Sequence, residues 1–260
     1  MNIFVCIKQV PDTTEVKFDP ETGTLIRKGV PTIINPDDKA GLEAALQIKD
    51  QCGGTVTAIC MGPLQADVAL REAMAMGADE AYLISDRSFG GADTYATSWT
   101  IAAAIKKIGN YDLIITGRQA IDGDTAQVGP QIAEHLGLVN ISYAEDIQLE
   151  EESIIVKRQY EDRYHLIKAK LPCLVTALSE LNAPRYMTPG GILAAYEKEI
   201  QILTKADLAL PDEEIGLKGS KTRVFKSYDK EAKGAGKVVD LDVQESVDWL
   251  IDKLEAKYII

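Results

Sequence analysis

The chain opens on an unbroken apolar run, Ile3-Phe4-Val5-Cys6-Ile7. A run without polar alternation predicts a strand buried on both faces of a parallel sheet. A long connection follows over 11–34, where Val16-Lys17-Phe18 and Thr24-Leu25-Ile26 flank Glu21-Thr22-Gly23 and predict a small surface hairpin. After Asn35-Pro36 the period becomes helical: proline suits a first helical position, and Leu42, Ala45, Leu46 and Lys49 share one stripe. Gly53-Gly54 ends that helix, and 55–61 forms a second strand. Gly62-Pro63 opens a second helix, in which Ala66, Ala69, Leu70, Ala73 and Met74 step by three and four until Gly77 caps it. Residues 81–84 form a third strand. A third helix follows Gly90-Gly91-Ala92-Asp93 with Ile101, Ile105 and Ile108 inward, then a fourth strand at 113–116 and a fourth helix ending at Gly137.

This alternation predicts an α/β fold: a parallel twisted sheet with helices on both faces, Rossmann-like and of the kind that binds adenine nucleotides. The pattern changes after residue 140. Residues 144–170 carry β-branched runs and charged turns, which predict antiparallel hairpins added to the sheet, and 174–176 supplies another core strand. From residue 198 the chain turns polar, through Pro211-Asp212-Glu213-Glu214 and Lys233-Gly234-Ala235-Gly236-Lys237. It then ends in an amphipathic stretch with Val247, Leu250, Ile251 and Leu254 on one face. The expected organisation is a nucleotide-binding domain over 1–197 and, over 198–260, an extended arm with a helix that docks on a partner subunit.

Composition narrows the function classes. The 260 residues carry a net charge of −12, which disfavours nucleic acid as a partner. The apolar runs are too short to span a bilayer, and Met1-Asn2-Ile3-Phe4-Val5 reads as a strand rather than a signal peptide, so a cytoplasmic protein without a membrane span is expected. Cys6, Cys52, Cys60 and Cys173 form no C-x-x-C pair and are expected to be buried structural thiols. His135 and His165 lack ligand-type neighbours, so no zinc site is expected.

In an open parallel sheet, ligands bind beyond the carboxyl ends of the strands. Four segments meet there: 6–11, Asn35-Pro36, 90–98 and 116–129. In the third, Asp93 is a natural N-cap, and Thr94 and Thr97 sit on a first turn where free N–H groups and the helix dipole favour an anion; the same residues would also serve a helix start without a ligand. In the fourth, Gln119, Asp122, Asp124, Thr125 and Gln127 crowd into nine positions around Gly123, more polar groups than a capped turn requires. The machinery of hydrolysis is missing, with no P-loop, no S-G-G-x-D-S loop and no G-x-S-x-G elbow, and the standard dinucleotide fingerprint G-x-G-x-x-G does not follow the first strand. No nucleophile is paired with a base, so no catalytic side chain is assigned.

Two stretches carry a family resemblance. Gly117-Arg118-Gln119-Ala120-Ile121-Asp122-Gly123-Asp124-Thr125 resembles the G-[KR]-Q-A-I-D-x-D loop of the electron-transfer flavoprotein β-subunit. Leu171-Pro172-Cys173-Leu174-Val175-Thr176 and then Leu181-Asn182-Ala183-Pro184-Arg185-Tyr186 resemble that family's L-P-x-[VL]-[VT]-T and L-N-x-P-R-Y signature. The similarity spans roughly residues 1–200. It implies a heterodimer with a flavin-holding α-subunit and, in the β-subunit, either AMP or a second FAD that takes a hydride from NADH and splits its electrons between two routes. The segment 91–97 resembles the FAD-holding members and favours FAD. The implied nucleotide contacts are Cys6, Asn35, Met61, Asp93, Thr94, Thr97, Asp122, Gly123, Asp124, Thr125, Gln127 and Val128. The implied partners are the α-subunit, an acyl-CoA or similar flavin dehydrogenase, and ferredoxin, with Pro189, Ile192 and Tyr196 on the segment that meets the dehydrogenase. Two departures stand out. Glu161-Asp162-Arg163 replaces the usual E-G-G, and Pro189 takes the place of an apolar anchor with no lysine-rich tail after it. A rival of another class is a nucleotide-binding stress or signalling module.

Overall fold

In the computed structural model, which describes residues 1–12, 31–225, 234 and 236–260, strand and helix alternate from the start. The first apolar run is β1 (Asn2–Ile7), and β2 (Gln9–Pro11) pairs antiparallel with β3 (Thr32–Ile34) across the long connection. The hairpin expected at 16–26 lies outside the described residues. Helix α1 (Pro36–Cys52) begins with its proline in the first turn, and β4 (Thr55–Met61) follows. Helix α2 (Asp67–Met76) starts later than Gly62-Pro63 implied, because a 3₁₀ turn over Leu64–Ala66 occupies the intervening residues. Then come β5 (Glu80–Ile84), α3 (Thr94–Ile108), β6 (Leu113–Gly117) and α4 (Val128–Leu136).

The antiparallel addition is β7 (Val139–Leu149), β8 (Ser153–Gln159) and β9 (Tyr164–Lys170), followed by β10 (Cys173–Ala177). The first half of β7 pairs parallel with β10 and the second half antiparallel with β8. Between them the register shifts, and Tyr143 takes a left-handed φ of 60°. Downstream lie α5 (Pro189–Glu197), β11 (Gln201–Leu203), α6 (Lys205–Leu208) and α7 (Gly216–Gly219). Among the described residues the main sheet has nine strands in the order β11-β5-β4-β1-β6-β10-β7-β8-β9.

Strand alternation sorts the core into two layers. Ile3, Val5 and Ile7 of β1 join Leu42, Leu46 and Leu70 of α1 and α2 on one face. Phe4 and Cys6 join Ile101, Ile105 and Ile132 of α3 and α4 on the other. Each such fully buried side chain contributes about 1.5–3 kcal/mol.

Two expectations need revision. The polar stretch after residue 197 is not an extended arm throughout: β11 pairs parallel with β5, and Leu203, Leu210 and Ile215 are buried in the second layer. The compact unit runs from Met1 to Phe225, and a second, small unit covers 226–260. A polar composition hid this because three apolar side chains suffice to seat a strand and two short helices. Within the second unit, α8 (Val243–Glu255) is capped by Asp242, whose carboxylate accepts from Glu245 N at 2.9 Å. Of the cysteines, Cys6, Cys60 and Cys173 are buried as expected, but Cys52 is exposed, because it is the last residue of α1 and lies beyond the buried stripe. Among the described residues no helix is long and apolar enough to cross a membrane.

Candidate functional site

The start of α1 staples the ends of three strands. Asp38 accepts from Lys8 N just after β1 (2.8 Å) and from Gly117 N at the end of β6 (2.9 Å). Asp37 accepts from Ser179 N beyond β10 (3.0 Å) and pairs with Arg118 Nε at 3.3 Å. Asn35, wholly buried, donates to Gln119 O (2.8 Å) and accepts from Ile121 N (3.0 Å). Gly117 is required here: a Cβ would stand 2.2 Å from Asp38 Oδ1. Burial pushes Asp38 up to about 7 despite the donors on both its oxygens, with Asp37 adding repulsion. Burial, with the charge of Asp38 beside it, also pushes the Cys6 thiol far up, so Cys6 is an inert neutral wall.

The loop after β6 folds on itself. Gly123 N and Asp124 N both donate to Ala120 O, and Asp124 and Ala126 adopt left-handed φ of 49° and 52°. Gln119 Nε2 donates to Asp124 Oδ1 at 2.9 Å. Lys8 Nζ reaches Asp122 Oδ1 at 2.6 Å and ties the loop back to β1. Across the opening, Thr94 Oγ1 on α3 donates to Gln127 Oε1 at 2.8 Å. A continuous hydrogen-bonded rim therefore runs from β1 through α1 and the 117–127 loop to the head of α3.

At that head, Asp93 caps the helix: Oδ1 accepts from Ala96 N at 3.0 Å, and Thr97 N donates to Asp93 O. Its other oxygen accepts from Lys221 N, Thr222 N and Thr222 Oγ1 at 2.7, 2.8 and 3.0 Å. Burial raises the Asp93 carboxyl, but these donors outweigh it and hold the group below the usual carboxylate range. The first-turn N–H groups of Thr94 and Tyr95 have no intrahelical partner and lie at the helix mouth.

The sequence-derived residues thus fall into connected sets. Asn35 joins the 117–124 loop, and Thr94 joins Gln127. Gly123, Asp124 and Thr125 lie exposed on the loop, and Val128 begins α4. Cys6 pairs in register with Thr116, and Met61 ends β4 against the second core layer. Composition missed Asp37, Asp38, Lys8 and the 220–222 segment. The acidic pair in a first turn was visible, but it reads equally as a complement to the helix dipole.

A second surface lies beside the sheet. Arg185 grips Glu43 through Nε (2.9 Å) and a terminal nitrogen (3.1 Å), and its backbone N–H adds a third bond. Asn182 Nδ2 donates to Ala40 O at 2.9 Å. The L-N-x-P-R-Y stretch is therefore a clamp on α1, and it leaves Tyr186 95% exposed. Thr188 caps α5, with Pro189 in its first turn, and Ile192, Leu193 and Tyr196 are exposed. Arg71 of α2 donates to the carbonyls of Ala195 and Lys198 and lies over the Tyr196 ring. Glu161-Asp162-Arg163 forms a tight turn closed by Tyr160 N on Arg163 O.

Comparison with known proteins agrees across the chain. The family model of the electron transfer flavoprotein domain matches residues 22–208. The electron transfer flavoprotein subunit beta of Clostridium acetobutylicum is 54% identical over 260 residues, covering all of both chains. Subunit CarD of the caffeyl-CoA reductase-Etf complex of Acetobacterium woodii is 56% identical over 262 aligned positions, again covering both chains. The acryloyl-CoA reductase electron transfer subunit gamma of Anaerotignum propionicum is 48% identical over 270 aligned positions at the same coverage.

Proposed function

Because the chain belongs to the electron transfer flavoprotein family, as a β-subunit, we propose that it holds FAD on the rim described above and works in a heterodimer with an α-subunit, taking electrons from NADH. One route for those electrons runs through the α-subunit's own flavin to an acyl-CoA or similar dehydrogenase, and the other to ferredoxin. The observation that carries the proposal is the rim itself. Asn35 and Lys8 tie the 117–127 loop to strand ends, Gln127 reaches Thr94, and the mouth of α3 stands ready for phosphate. Two relatives are named as subunits of CoA-reductase systems, which supports a dehydrogenase of CoA thioesters as the partner. Family membership sets aside a free-standing stress or signalling module.

The donor set fits an adenine nucleotide with a diphosphate. The hydroxyl of Thr97, that of Thr94 once it turns from Gln127, and the N–H groups of the α3 mouth suit phosphate oxygens. Backbone groups of Gly123, Asp124 and Thr125, with the Gln127 amide, suit the adenosine part, and Met61, Asp122 and Val128 supply its walls, backed by the buried Cys6 and by Asn35, which acts through the loop it holds. Asp93 shapes the turn, since its carboxylate oxygens already serve four protein donors. The flavin supplies hydride and electron transfer when bound. The protein's part is to orient it, exclude water and set the local charge; no side chain is assigned as an acid or base. Ile192 and Tyr196, on the helix that Pro189 opens, are the proposed contacts for the dehydrogenase, and α8 is proposed to dock on the α-subunit.

The alternative occupant is AMP, with one working flavin per heterodimer; the 91–97 segment favours FAD. Co-expression with the α-subunit, followed by a count of flavin and AMP on the purified complex, separates the two. Two flavins per heterodimer support the proposal; one flavin with one AMP gives the alternative; an empty β-subunit overturns the site.

A further inference from the structure

Residues 216–222 lie across the loop at the head of α3. Leu217 N donates to Gly90 O at 3.1 Å, and Asp93 N donates to Ser220 Oγ at 2.8 Å. Gly216 takes a left-handed φ of 53°, and a Cβ there would stand 2.0 Å from Ser88 O, so only glycine lets the two backbones meet. Lys221 Nζ lies 4.9 Å from the Tyr95 ring centre, and just upstream Glu214 accepts from Trp99 Nε1 at 3.0 Å. Adding the three donors on Asp93 Oδ2, the crossing is fastened on both sides of the helix cap. It is made by chain three residues short of the end of the compact unit, beyond which the polar 226–260 unit begins.

We infer that residues 216–222 form a strap that sets the shape of the 90–94 loop, so that nucleotide affinity depends on residues that do not touch the nucleotide, and nucleotide occupancy in turn tightens the strap. Rigid contacts on one side of a loop lower the ordering cost of a ligand on the other, and the linkage is reciprocal by thermodynamic necessity. The strap side chains that matter are Ser220 and Thr222, which act on Asp93 and not on a phosphate. The inference rests on the nucleotide site proposed above.

The test uses the full-length heterodimer with FAD and with AMP as probes. Thr222→Val combined with Ser220→Ala is expected to weaken nucleotide binding about tenfold, and Thr222→Ser is expected to bind as the unchanged protein does, since it keeps the hydroxyl. Hydrogen exchange read on the unchanged heterodimer supplies the second measurement: adding nucleotide is expected to slow exchange at Lys221 and Thr222 as well as at Thr94 and 122–128. Protection at Thr94 and 122–128 with none at 221–222, or an affinity unmoved by the double variant, overturns the strap and leaves the site standing. No protection at either place overturns the site itself.

Discussion

The Arg185 guanidinium holds the buried Glu43 carboxylate in a two-pronged grip, 2.9 and 3.1 Å, and so binds the segment after β10 to the flank of α1. Burial raises the Glu43 carboxyl, but the Arg185 bonds outweigh it and leave the group below its usual range. Arg185→Ala would strand a buried charge. Because Arg185 is itself about a third exposed, the expected loss is about 2–3 kcal/mol, below that for a fully buried pair. Urea unfolding measures it. Arg185→Lys should recover only part, since an ammonium cannot match both oxygens; full recovery would mean that charge alone matters.

Thr94→Val with Thr97→Val removes two hydroxyls from the α3 mouth. Each bond lost to a charged phosphate costs about 1.5–3 kcal/mol, or one to two decades in affinity. The expected result is a heterodimer that keeps the α-subunit flavin and loses the β-subunit nucleotide, with NADH oxidation abolished. A lower melting temperature with unchanged flavin content would mean that the hydroxyls only support the helix start.

Asp38 gives a pH signature. Its folded pKa is raised to about 7, so the folded chain holds this proton more tightly than the unfolded one. The contribution is complete below the ordinary carboxylate value near 4 and is lost as pH rises through about 7, with a slope of at most about 1.4 kcal/mol per pH unit. Asp38→Asn should flatten that part of the curve of unfolding free energy against pH. An unchanged slope between pH 5 and 7 would assign it to another group.

A chain stopped after Phe225 keeps the compact unit and loses α8. It is expected to fold, retain its nucleotide and pair poorly with the α-subunit; co-purification at full yield would count against docking by α8. Stopping after Ala195 is a poorer experiment. It would also strip β11 and the buried Leu203, Leu210 and Ile215, and so confuse assembly with folding.

Ile192→Glu places a charge on the exposed face of α5 without touching the core. Electron transfer to the dehydrogenase should slow about tenfold or more, while NADH-driven reduction of a small dye stays unchanged. Equal losses in both assays would show that Ile192 supports the fold rather than the encounter.

Much of the fold was legible because buried parallel strands must carry uninterrupted apolar side chains, as at Ile3–Ile7 and 113–116, and because helices between them must repeat at three and four. β11 was not legible: Gln201-Ile202-Leu203 is too short for a period, and only Leu203 is buried. The 117–127 loop stood out through its polar crowding. The 220–222 crossing did not, because two of its three donors to Asp93 are backbone N–H groups, which almost any residue would supply. Asp37 and Asp38 were hidden for the converse reason: their partners are backbone groups of strand ends as far as 142 positions away in the chain.

The place of β10 has a bearing on how the molecule is made. It lies between β6 and β7 in the sheet but follows both, along with β8 and β9, in the chain. While a ribosome has released only the residues up to Lys170, β6 has no neighbour on its outer side, and the sheet of β7, β8 and β9 has none along β7, where β10 will join. Two apolar edges are then open to any other unfinished chain. They close together when Cys173–Ala177 emerges and forms parallel ladders with both. Pauses in synthesis just before that strand are therefore the interval of greatest aggregation risk, and a chaperone that covers strand edges would act most usefully there.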